Sequence, residues 1–140
     1  MNTILSLTLT LLSLPALALT DADIIAATIW MEARGEGSAC MDAVASVICN
    51  RSRKSGQKPA VECLRRNQFS CWTGKTTAVI PRNAKGKEWA YCRMLGRKVA
   101  NKTFKPTMDA TNFYNPLLVI PKWGRKMKTV KWVGDTRFCK

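Results

Sequence analysis

The segment Ile24-Ile25-Ala26-Ala27-Thr28-Ile29-Trp30-Met31-Glu32-Ala33-Arg34-Gly35-Glu36-Gly37 decides the architecture. Ile24, Ile25, Thr28 and Ile29 recur at helical spacing on a run that continues to about Ala33, and Asp21 or Asp23 can cap its start. Gly35 and Gly37 end it. Ser38 can cap a second helix, in which Met41, Val44, Ala45 and Ile48 form a core-facing stripe as far as about Arg51. Pro59 opens a short helix near Ala60 to Arg66, and Asn67 to Pro81 reads as irregular. Asn83 caps a third long helix with Glu88, Tyr91, Cys92, Leu95 and Val99 on one face. After Pro106 the pattern changes to short β-like runs at Thr111–Tyr114, Leu117–Ile120, Thr129–Val133 and Arg137–Cys139. Gly134-Asp135 lies between the last two as a hairpin signal. The expected fold class is α+β, mainly helical, with a small C-terminal β element.

At 140 residues the chain has room for one domain, and its 46% hydrophobic content fits a packed core. Histidine is absent. That removes the Ser-His-Asp triad, the Cys-His pair and two-histidine acid/base chemistry, and catalytic zinc sites nearly always use imidazole ligands. No metal and no cofactor is expected, and acid/base work falls to Asp, Glu, Lys or Tyr. The first twenty residues hold no charged side chain, carry an apolar run from Ile4 to Leu12, and end in Pro15 and the Ala16-Leu17-Ala18 cleavage pattern. Residues 1–18 therefore read as a secretory signal, leaving a single domain over 19–140. A membrane anchor is the alternative, but the run is short for a span and lacks a flanking basic stop signal. Six cysteines in an exported chain, none in a C-x-x-C, favour up to three disulfides. Cys40 and Cys49 fall on opposite faces of one helix and cannot pair with each other.

Nine carboxylates divide by context. Glu62 and Glu88, on helices rich in Lys and Arg, read as surface ion pairs, Asp21 and Asp23 as caps, and Asp135 as a turn residue. Glu32, Glu36, Asp42 and Asp109 remain. Glu32 follows Ile29-Trp30-Met31 at the C-terminal end of an apolar helix. Apolar neighbours and the negative end of the helix dipole should raise its pKa, which suits a general acid at neutral pH. A surface pairing with Arg34 is the competing role.

The opening segment resembles the first motif of the SleB-type cell wall hydrolases, the spore-cortex-lytic enzyme family. Asp42-Ala43-Val44-Ala45-Ser46-Val47-Ile48-Cys49-Asn50-Arg51 is similar to that family's next helix, with its closing Asn-Arg pair. Gln68-Phe69-Ser70-Cys71-Trp72 resembles its central motif and Ala110-Thr111-Asn112-Phe113-Tyr114-Asn115-Pro116 its Phe-Tyr-Asn motif. Val133-Gly134-Asp135-Thr136-Arg137-Phe138-Cys139 resembles its closing strand. The series runs from about residue 24 to 139 in the family's order. The resemblance implies a lysozyme-like or transglycosylase-like domain that cuts peptidoglycan glycan strands between N-acetylmuramic acid and N-acetylglucosamine. It implies Glu32 as the catalytic acid, and Tyr114 and Asn115 as a pair lining the cleft. Family members often carry histidine at the positions of Asn112 and Thr136, so no function carries over to either.

Glycosidases commonly use two carboxylates, whereas a lytic transglycosylase manages with one that serves as acid and then base. With Glu32 the one well-placed acid, the second mechanism is expected. Glu36 and Asp109 are the second-carboxylate candidates, Glu36 having an ion pair with Arg34 or a capping role as its alternative. Sugars present hydroxyls and apolar faces, so Gln68, Trp72, Tyr114 and Asn115 are the expected substrate contacts. Core packing is an equal alternative for Trp72 and Phe69, and the expected role for Trp89; Arg51 reads as a structural partner. The formal charge of +14 fits a monomer that is secreted, periplasmic or held against a cell wall, with anionic envelope polymers on its basic surface. No nucleic-acid motif is present. The rival function is a non-enzymatic cationic protein that binds polyanions or the envelope.

Overall fold

The computed structural model describes residues 18–140, so the segment read as a secretory signal lies outside the described residues except for Ala18. Helix α1 (Asp21–Ala33) starts at Thr20, whose side chain accepts the Asp23 backbone N–H at 3.1 Å while the Asp23 carboxylate accepts the Thr20 N–H at 3.0 Å. This capping box makes Asp23 the reciprocal partner and Thr20 the cap, one step from the sequence expectation. Residues Ile25 to Trp30 are all buried. A helix enclosed on every side is a central strut, and α2 (Ser38–Ser55), α3 (Pro59–Leu64) and α4 (Gly86–Ala100) pack around it. α4 approaches α1 closely at Gly96, where an added Cβ would lie 2.4 Å from the Ala22 carbonyl oxygen and 3.0 Å from the Ala26 Cβ.

α2 runs four residues past Arg51, ending on Gly56 in the left-handed region at φ 72°. Its N-cap is Gly37, with no side-chain capping bond from Ser38. α4 begins at Gly86 after Lys85, later than Asn83, and buries Cys92, Leu95, Gly96 and Val99 while Glu88 stays exposed. Glu62 is fully buried, in contrast to the surface role expected of it. It pairs with Arg65 at 2.7 Å and accepts the Ser55 hydroxyl at 2.9 Å, so both of its oxygens have donors. Trp89 is partly buried edge-on against Trp30, with centroids 6.1 Å apart.

The C-terminal third forms a three-stranded antiparallel sheet in the order β1-β3-β2, with β1 Asn112–Tyr114, β2 Thr129–Val133 and β3 Thr136–Cys139. Gly134 turns the β2–β3 hairpin with φ 55°. The run Leu117–Ile120, read as β-like, is a turn. Asn115 closes it, its carbonyl accepting the amides of Leu118 and Val119 at 3.0 Å and its Oδ1 that of Leu117 at 2.9 Å. Pro116 and Pro121 supply no amides on either side. Phe138 stacks on Phe113 at 5.4 Å and Phe113 tilts against Phe69 at 6.4 Å, which joins the sheet to the helical body.

All six cysteines are free thiols, so the expected disulfides are not formed. They come from α2, α3, α4, β3 and the 3₁₀ turn Ser70–Trp72, and four of them pack as small buried hydrophobes. Cys92 contacts the Met41 sulfur at 3.7 Å and Cys139 the Met127 sulfur at 3.9 Å. Burial pushes the Cys40 and Cys49 thiols up to about 11 and those of Cys63 and Cys92 to about 12.

Two outcomes follow from this packing. Gly96→Val should destabilise the protein by about 2–3 kcal/mol, read as a lowered urea midpoint, because the Ala22 carbonyl is backbone and gives way poorly. Alkylation depends on thiolate. In the native protein the rate at Cys49, the partly exposed thiol raised to about 11, should climb about tenfold per pH unit beyond 9 toward 11, where an ordinary thiol would level off; peptide mapping after timed labelling reads this.

Candidate active site

Glu32 occupies the last turn of α1, half-buried, and its Oε1 accepts the backbone N–H of Cys71 at 3.2 Å. The donor belongs to the 3₁₀ turn Ser70–Trp72, so the carboxylate is fixed from two sides, by its helix and by a main-chain group. It borders a cleft of about 480 Å³, in the size range of small-ligand sites. Gln68 and Phe69 line it from the loop before the 3₁₀ turn, Ser70 from the start of that turn, and Tyr114 and Asn115 from the end of β1. Glu36, Arg51, Asn67, Asn112, Phe113, Trp123 and Thr136 add further polar and aromatic lining, with Leu118, Val119 and Pro121 at the edge.

Arg51 organises one side. Its Nε donates to the Thr111 carbonyl at 2.6 Å and its guanidinium also donates to the Gln68 carbonyl, while its plane lies over Phe69, 4.6 Å from the ring centroid. Asn50, one residue earlier, donates to the carbonyls of Met108 and Ala110, both at 2.8 Å. Burial pushes the Arg51 guanidinium below its usual range, opposed by the fields of Glu62 and Glu32. Arg137 organises the other side. It donates to the Tyr114 hydroxyl, to the Gly124 carbonyl at 2.9 Å, to the Met127 carbonyl at 2.8 Å and to Thr129 Oγ1 at 2.7 Å. Tyr114 meets Trp123 edge-on at 5.6 Å, and a Cβ on Gly124 would lie 2.7 Å from its ring, so only glycine admits the tyrosine there.

The structure therefore brings Glu32, Glu36, Gln68, Tyr114 and Asn115 to one cleft and leaves two of the sequence-selected residues out of it. Trp72 is buried, its indole N–H donating to Thr28 Oγ1 at 2.9 Å, so it packs in the core. Asp109 is exposed and ion-paired with Lys140, whose hydrogen bond and charge hold its carboxyl below the ordinary value. Ser70, Trp123 and Thr136 line the cleft unpredicted. Ser70 was within reach, lying inside the same motif as Gln68. Burial, and next the neighbouring Glu32 carboxylate, push the Cys71 thiol well up. A second cavity, of about 460 Å³, lies where α2, α3 and α4 end or begin, and its lining of Arg53, Lys58 and Lys102 includes no carboxylate.

The Cell Wall Hydrolase family model matches residues 35–139, three quarters of the chain. The chain belongs to the cell wall hydrolase family. Among solved structures, this cell wall hydrolase is similar to the catalytic domain of SleB from Bacillus cereus, at 23% identity and a TM-score of 0.65. That match covers 86% of this chain and 89% of that one. It is also similar to the catalytic domain of the germination-specific lytic transglycosylase SleB from Bacillus anthracis, at 22% identity and a TM-score of 0.68, covering 91% and 100%. At these identities the likeness establishes a shared fold, the mainly helical lysozyme-like arrangement with its small sheet. No curated protein matches the chain. The family match begins at Gly35, so Glu32 stands just ahead of it.

Arg51→Ala should remove the charged donor from two main-chain carbonyls and cost about 2–4 kcal/mol in urea unfolding. Arg51→Lys, which keeps the charge and loses the planar fork, should recover less than half of that.

Proposed function

We propose that this cell wall hydrolase degrades peptidoglycan by cleaving the glycan strand between N-acetylmuramic acid and N-acetylglucosamine, as a lytic transglycosylase with Glu32 as acid and then base. The observation that carries the reading is a carboxylate at the end of a buried helix, anchored by a main-chain N–H, bordering a cleft lined by Gln68, Tyr114 and Asn115. Protonated Glu32 gives its proton to the glycosidic oxygen as the C1–O bond breaks, which leaves an oxocarbenium-like sugar. The Glu32 carboxylate then takes the proton from the C6 hydroxyl of the same sugar. O6 closes on C1, giving a 1,6-anhydro end, and Glu32 is again protonated. No water enters the product.

Gln68, Tyr114 and Asn115 serve here as substrate contacts, their amide and phenol groups meeting sugar hydroxyls. Glu36, at the cleft but exposed on the turn after α1, is the remaining carboxylate able to activate water if the product is hydrolytic. We take the first 18 residues as a cleaved secretory signal, so that residues 19–140 act outside the cytoplasm, in the periplasm or at the wall, as a monomer. Only Arg65 and Lys140, among 23 basic residues, sit in ion pairs within the described residues. The remaining cations form a field that concentrates the enzyme on anionic envelope polymers.

Mass analysis of fragments from purified peptidoglycan tests this, comparing the parent with Glu32→Gln. Fragments one water lighter than hydrolytic muropeptides, lost with Glu32→Gln by at least about a thousandfold in rate, are the expected result. Reducing ends would reject the one-carboxylate mechanism and turn attention to Glu36. Equal activity of folded parent and variant would remove Glu32 from the chemistry. No fragments from either would favour the cationic binder.

A further inference from the structure

Leu117, Leu118, Val119 and Ile120 are exposed to 77, 83, 59 and 55% of their surface, four apolar side chains in succession at the tip of the Pro116–Pro121 turn. Single exposed leucines are ordinary, but a contiguous apolar run in water marks a surface that something else covers. The turn's amides at Leu117, Leu118 and Val119 are already bonded to Asn115. The turn therefore offers side chains and not a strand edge to its partner.

The surrounding charge narrows the partner's chemistry. Lys122, Arg125, Lys126, Lys128 and Lys131 follow the tip, all exposed and none in an ion pair. No carboxylate occurs anywhere from Asn112 to Gly134. Trp123 and Trp132 stand among these cations at 43 and 52% exposure. A second copy of the chain would bring like charges together. A glycan has small apolar faces, but a hydroxylated strand supplies neither a continuous apolar layer for four successive aliphatic side chains nor phosphates for the cations. An anionic lipid surface supplies an apolar layer for the tip, phosphates for the cations and an interfacial zone that tryptophan favours. No described helix is long and apolar enough to cross a bilayer, so contact through this region is peripheral.

We propose that the Leu117–Ile120 turn inserts into the headgroup–acyl boundary of an anionic membrane, with Lys122, Arg125, Lys126 and Lys128 on the lipid phosphates. Leu118, Val119 and Trp123 also border the cleft, so insertion holds the cleft's edge at the membrane face. That consequence for catalysis rests on the glycan-cleaving reading; the lipid contact stands without it.

Hydrogen–deuterium exchange on the full chain, read at peptides covering residues 115–130, tests the contact. Vesicles of phosphatidylglycerol and phosphatidylcholine should slow exchange there by about tenfold, and pure phosphatidylcholine vesicles by much less. Leu117→Ser combined with Ile120→Ser, both outside the cleft, should abolish that local protection while leaving the urea midpoint unchanged. Because the readout is confined to these peptides, attachment through the apolar N-terminal segment does not mimic it. Unchanged exchange with anionic vesicles overturns the proposal. Protection that rises with protein concentration in the absence of lipid overturns it in favour of self-association, and protection by soluble glycan strands with none from anionic vesicles overturns it in favour of a sugar subsite. None of these outcomes depends on Glu32, so failure here and failure of the glycan-cleaving reading are separable.

Discussion

Two consecutive side chains, Asn50 and Arg51, hold the molecule in the shape that makes a cleft. Together they donate to four carbonyls, those of Met108, Ala110, Thr111 and Gln68, and so strap the approach to β1 and the loop before the 3₁₀ turn onto the end of α2. These carbonyls lie in irregular chain without a regular ladder, and buried backbone acceptors need donors. Asn and Arg meet that need with planar, multi-donor groups. Arg51 commits its donors to main chain, which leaves the Glu32 carboxylate with the Cys71 amide as its bonded partner.

Arg137 repeats the device at the other side of the cleft. It gathers the Tyr114 hydroxyl and the carbonyls of Gly124 and Met127, fixing the 3₁₀ segment Lys122–Lys126 against the sheet. Between the two clamps, the contact sequence Phe69, Phe113, Phe138 carries packing from loop to sheet. Residues from four distant stretches thus reach one cleft without a disulfide or a carboxylate partner for either arginine.

The helices were legible from their long apolar runs bounded by glycines and, in α4, from a buried face at helical spacing, Cys92, Leu95 and Val99. Their ends were less so. Thr20 and Gly37 took capping places assigned to Asp21 or Asp23 and to Ser38, and α4 waited for Gly86. Leu117–Ile120 has strand-like composition but lies between two prolines with Asn115 closing a turn, so local backbone chemistry overrode propensity. Cysteine number carries no distances, which is why an even count misled. Trp72 and Asp109 were selected by neighbours in sequence, while their places follow from Thr28 and Lys140, which are remote in sequence. The arginine clamps bond to carbonyls, groups present at every residue, and such partners leave no compositional trace.

The two sides of the cleft differ in how firmly they are built. Glu32 stands at the end of a helix enclosed from Ile25 to Trp30, which belongs to the last part of the fold to open. The edge formed by Leu118 and Val119 is carried on a short turn whose apolar side chains are exposed. Stability is thereby unevenly distributed: the Leu118–Val119 turn has little to hold it, while the helix that carries Glu32 is buried through most of its length. On the glycan-cleaving reading proposed above, a long polymer would enter and leave sideways past that turn, while Glu32 keeps its place at the end of the buried helix.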